Sequence, residues 1–170
     1  MQKQADSSKK INRTDKSYCV SSITNDDNHI LIWDFDAIEE HFVLRSLSQI
    51  QNFHELGDIY LLKSRHGYNA FCLDKLFLNE AYNILFYTRW NDFNHVRIGY
   101  KSESWCLRMN KDKEIIKRLI PTENYLERNQ SNAHYLFFKK FFNYDDLMIT
   151  YPDNFNNCDI QLESYKQAVI

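Results

Sequence analysis

The chain has 170 residues, 44% of them hydrophobic and 15% aromatic, with a formal net charge of -2. This length and apolar content suit one folded domain with a real core and exclude a wholly disordered chain. Only 3 glycines are present, Gly57, Gly67 and Gly99, which excludes the Gly-rich phosphate loops of the P-loop and Rossmann types.

Residues 1–27 are polar and lack apolar periodicity, so they read as a disordered tail preceding a single domain over 28–170. The run His29 to Asp34 reads as a first strand, because Ile30, Leu31, Ile32 and Trp33 are the residues that fit a covered pleated surface. A helix is expected from Asp36 to about Phe53, with Ile38, Phe42, Leu47 and Ile50 on one face. Asp58 to Ser64 forms a second strand, and extended structure resumes at Tyr68 to Cys72 after a turn at Gly67.

A second helix is expected from Asp74 or Asn79 to Tyr87. His95 to Tyr100 and Ser104 to Met109 read as two strands joined by Lys101-Ser102-Glu103, and Lys111 to Leu119 as a basic helix stopped by Pro121. The aromatic-rich segment Asn132 to Phe142 should pack back on the core, and Asp159 to Leu162 reads as a last edge strand. The sum is an α+β fold, a central mixed sheet flanked by helices.

Charge is unevenly spread: residues 60–120 hold 11 Lys/Arg against 6 Asp/Glu, a net +5, which leaves -7 for the rest. A basic centre can face a polyanion or simply be a solvated surface. The four cysteines, Cys19, Cys72, Cys106 and Cys158, lie far apart and read as free thiols of a reducing compartment. With no apolar run of membrane length, the expected location is cytoplasmic, the host cytoplasm if the chain is viral.

Three elements carry chemistry. Asp34-Phe35-Asp36 closes the first strand, and period-two placement projects both carboxylates to one face. The bland alternative has Asp36 capping a helix and Asp34 in solvent. Lys63-Ser64-Arg65-His66-Gly67-Tyr68-Asn69 is a Ser-x-x-Gly-x-Asn turn between strands, and the third element runs from Trp90-Asn91-Asp92 to Arg108 and Lys111. Trp33, Trp90 and Trp105 read as core aromatics, and His41, His54 and His134 as structural.

This order of motifs resembles the archaeo-eukaryotic primase superfamily over about residues 28 to 111. The resemblance implies an RRM-like core and metal-dependent nucleotidyl transfer in DNA replication, with nucleoside triphosphate and nucleic acid, DNA before RNA, as partners beside other replication proteins. It implies Mg²⁺ or Mn²⁺ held by Asp34, Asp36 and a third acid, Asp92 or else Glu103. Lys63, Ser64, Arg65, Gly67, Asn69 and Arg108 are then the nucleotide-contacting candidates. The chain departs from the family pattern at Asn69, where the family has histidine; an amide carries no charge and transfers no proton. Slow synthesis, raised by Asn69→His, is the expectation on this reading. The alternatives are a catalytically inactive nucleic-acid-binding protein of the same fold and, ranked last, a phosphatase using Asp34 and Asp36.

Overall fold

The computed structural model describes residues 18–122 and 125–153, and the backbone of 162–164. In chain order these hold β1 (Tyr18–Ser21), β2 (His29–Asp36), α1 (Glu40–Phe53), β3 (Ile59–Lys63), β4 (Gly67–Leu76), α2 (Leu78–Tyr87), α3 (Phe93–Lys101), β5 (Cys106–Met109), β6 (Glu114–Leu119), α4 (Asn132–Phe142) and β7 (Leu162–Ser164). The fold class is α+β. Two sheets replace the one that was expected, ordered β2-β4-β3-β6 and β5-β1-β7. Among the described residues all strand pairs are antiparallel, and the parallel component is confined to an isolated bridge between Gln130 and Pro152.

The larger sheet is covered on both faces. Directly opposed residues share a face, and the register sets Ile32 against Phe71 and Phe71 against Tyr60. On that face Phe71 stacks on Tyr60 at 5.1 Å between ring centroids and meets Phe138 of α4 at 4.3 Å. Trp33 points to the opposite face, where its indole N–H donates to Thr88 Oγ1 at the end of α2, 2.9 Å away. Four consecutive β2 residues, Ile30 to Trp33, are fully buried, which explains the continuous apolar run.

Three expectations are corrected. Residues 18–22 belong to the domain: Cys19 and Val20 are buried in β1, and Ser22 is buried with its hydroxyl bonded to His29 Nδ1. So short a strand, flanked by serines, leaves no periodicity to read. His95 to Tyr100 lies in helix α3, because the Asp92 carboxylate accepts from the backbone N–H groups of Asn94 and His95 and starts a helix there. Lys111 to Leu119 contains strand β6 rather than a helix. Its residues pair along the open edge of β3, and Arg118 reaches Asp58 across that pair. Non-local pairing overrides the helix preference of its charged residues.

The remaining elements fall close to expectation, α1 beginning at Glu40 because β2 continues through Asp36. Asn132 to Phe142 is helical, and Leu162–Ser164 pairs with β1, while residues 159–161 of the expected edge strand lie outside the described residues, as does Cys158. Cys19, Cys72 and Cys106 form no disulfide among the described residues. No helix among the described residues is long and apolar enough to cross a membrane.

Candidate functional site

β2 is the outer strand of its sheet, and the way its exposed edge is covered builds the site. The Ile30 N–H donates to Ser22 O at 2.9 Å, and the His95 ring donates from Nε2 to Ile32 O at 2.9 Å. Asp34 N–H donates to Asn91 Oδ1 at 2.9 Å, and Asp92 N–H donates back to Asp34 O at 2.8 Å. Asn91 is itself anchored, its Nδ2 donating to Leu85 O. Unpaired edge groups need such partners, and satisfying them delivers Asp92 to the side of Asp34.

Asp34, Asp36 and Asp92 thus converge at the C-terminal end of β2. Each can offer one carboxylate oxygen such that all three lie within 4.8 Å of one another. Asp34 and Asp92 are half-buried and Asp36 is exposed. Glu103 is not part of this group; it sits at positive φ in the turn after α3. Asp92 has a second task, since its two oxygens accept from Asn94 N at 3.0 Å and His95 N at 3.2 Å. Burial raises the Asp34 carboxyl above its usual range; Asp36 and Asp92 add to the rise, while His95 and Lys113 oppose it. Three carboxylates this close favour a bound cation or a proton.

Asn69 stands directly opposite Asp34 on β4. It is buried, 7% exposed, and its Nδ2 donates to Asp34 Oδ1 at 2.8 Å while its Oδ1 accepts from Lys113 Nζ. Lys113 precedes β6, and burial lowers its ammonium to about 8, the Asp34 carboxylate opposing the fall. The chain Lys113–Asn69–Asp34 therefore couples a buried cation to the innermost carboxylate through one amide. No short sequence motif announces this partner, because Lys113 lies 44 residues from Asn69.

A cleft of about 920 Å³ opens over the carboxylates. Of the residues expected from sequence, Asp34, Asp36, Asp92, Ser64, Arg65, Asn69 and Arg108 line it. His66, His95 and Lys113 line it as well and were not among those candidates. His66 lies within the Ser64 to Asn69 turn and His95 three residues after Asp92, which are the two local hints. Lys63 is instead engaged over the Tyr68 ring, 4.0 Å from its centroid. Gly67 is buried and serves the sheet: a Cβ there would fall 2.0 Å from Phe35 O. Its role is close backbone approach to β2. Trp33 and Trp105 are core residues as expected, but Trp90 is 44% exposed.

His134, expected to be structural, is buried and bonded to Ser131 Oγ and Ser21 O, and burial brings its imidazole down to about 4. No protein-family model, curated protein or solved structure matches this chain.

Proposed function

We propose that this chain is a metal-dependent nucleotidyltransferase of primase-polymerase type, using a nucleoside triphosphate and nucleic acid in DNA replication. The observation that carries the reading is the convergence of Asp34, Asp36 and Asp92 in one cleft with Arg65, Arg108 and Lys113. The all-oxygen donor set suits a hard cation such as Mg²⁺ or Mn²⁺. Such an ion, when bound, neutralises triphosphate charge and activates a hydroxyl nucleophile. Arg65 and Arg108 line the same cleft, and guanidinium groups pair readily with phosphate oxygens, which supports the reading. Asn69 and Lys113 hold Asp34 in position from behind.

The order Asp34-x-Asp36, Ser64-x-x-Gly67-x-Asn69 and Asp92 supports the same reading through the resemblance to primases. Calorimetric titration with Mn²⁺, with and without a deoxynucleoside triphosphate, tests it. Wild type should bind the ion and Asp34→Ala/Asp36→Ala should not. Equal binding by the two proteins would overturn the site.

One observation favours a second reading, an inactive nucleic-acid-binding protein of this fold. Asn69 occupies the position of the family histidine and both ends of its amide are already bonded inside the protein. Primer extension with Mg²⁺ and Mn²⁺ separates the two: synthesis supports the enzyme, and binding without synthesis supports the module. The phosphatase reading loses support from the antiparallel sheet, since it requires alternating βα units around a parallel one.

A further inference from the structure

The Asp92 loop is flanked by aromatic side chains that the core does not use. Tyr87 is 70% exposed, Phe93 60%, Phe86 45%, Trp90 44% and Tyr100 40%. Monomers rarely leave a contiguous apolar patch of this kind without a use for it. The rings form a track along α2 and α3. Tyr100 packs on Tyr82 at 4.2 Å, Tyr82 on Phe86 at 5.7 Å, and Phe86 on Tyr87 at 5.3 Å and Phe93 at 6.3 Å.

Cations accompany the track. The Arg89 guanidinium lies over the Trp90 ring at 4.8 Å. Arg97 and Lys101 stand on α3 and enter no salt bridge among the described residues. Asp92 is the one carboxylate in residues 82–101, against these three cations, and it belongs to the acidic cluster and the α3 cap. At Tyr87 and Arg89 the track meets a groove of about 690 Å³ formed with α1.

We propose that the aromatic track on α2 and α3 binds single-stranded nucleic acid. Bases stack on the exposed rings, and the backbone follows Arg89, Arg97 and Lys101 toward the acidic cleft. Stacking platforms interleaved with cations suit a single strand, because its unpaired bases present free π-faces and its phosphates seek positive charge. A duplex presents no free base face of that kind. The direction toward the cleft rests on the nucleotidyltransferase reading; the binding itself does not.

The test is fluorescence anisotropy with a labelled 20-nucleotide oligothymidylate, run in EDTA so that metal binding plays no part. Wild type should bind with marked salt dependence. Tyr87→Ala and Phe93→Ala should each weaken binding by roughly fivefold or more. Arg97→Ala/Lys101→Ala should flatten the log K against log salt plot by about 0.7 per lost phosphate contact. Phe141→Ala, also at an exposed aromatic (40%) but on α4 across the larger sheet, should change nothing.

Wild-type binding unaffected by the ring variants would overturn the proposal. So would no binding at low salt, or light scattering in which Phe93→Ala dissolves a dimer while oligonucleotide affinity stays constant. That last result would assign the track to a protein interface. Loss of Mn²⁺ binding in the carboxylate variant with intact oligonucleotide binding would instead separate the track from the cleft.

Discussion

Truncating Asn69 to alanine examines the coupling at the heart of the site. The amide is 7% exposed and makes two bonds to charged groups, Asp34 and Lys113. Hydrogen bonds to charged partners contribute roughly 1.5–3 kcal/mol each, so the pair is worth about 3–6 kcal/mol if nothing replaces it. The cleft beside both partners admits water, which should offset about half of that loss. A net destabilisation of about 1.5–3 kcal/mol is expected, a fall in Tm of roughly 3–12 °C for a domain of this size. Urea unfolding at pH 7 measures it as a drop in midpoint at constant m. A loss below about 0.5 kcal/mol would show that the amide couples nothing, since so small an effect is ordinary for an exposed surface change. Asn69→His gains a revised expectation from the same geometry. The larger imidazole cannot reproduce both bonds at their present spacing, so that variant should lose stability instead of raising synthesis.

Asp92→Asn should keep α3 stable, since an amide oxygen still caps, while weakening Mn²⁺ binding in calorimetry; Asp92→Ala should lose both functions, with about 1 kcal/mol of stability from the cap. Gly99→Ala should cost about 2 kcal/mol or more in thermal unfolding, because its Cβ would lie 2.2 Å from Cδ1 of buried Trp105. For Lys113, burial brings the folded ammonium down to about 8, below the ordinary lysine value of 10.5. The folded state then binds fewer protons than the unfolded chain between those values, so stability should rise with pH through that window, by roughly 3 kcal/mol at most. Lys113→Met should remove most of that rise in urea midpoints taken from pH 7.5 to 10.5, and an unchanged slope would place the titrating group elsewhere.

Local signals carried much of this architecture. The apolar run before Asp34 and the two-residue spacing to Asp36 were enough to place both carboxylates at one strand end, where they meet. Ser64 to Asn69 could be read as a turn between strands because Gly67 marks it; the turn itself is 64–66, and Gly67 opens β4 close against Phe35 O. The misread segments share a cause. In His95 to Tyr100 the residues mimic a two-residue alternation, yet a single cap at Asp92 commits them to a helix. In Glu114–Leu119 the partner edge of β3 decides the conformation, and β3 lies more than 50 residues away. Contacts at that separation leave no local trace in the sequence.

The site divides along the same line. Asp34 and Asp36 are neighbours in sequence and were visible together, whereas Asp92 joins them only because β2 has an edge to satisfy. That edge makes Asp92 a junction of three structures: it covers β2 through its N–H, starts α3 through its carboxylate, and contributes to the acidic cluster. A cation drawing on its oxygens would compete with the two N–H groups they now accept from. Metal occupancy and the first turn of α3 are then linked, and that turn carries Phe93 of the aromatic track. A site assembled this way cannot have its acid moved along the chain. An acid at 91 or 93 would lose the N–H that aligns Asp92 beside Asp34, and with it the geometry on which both the cleft and the track depend.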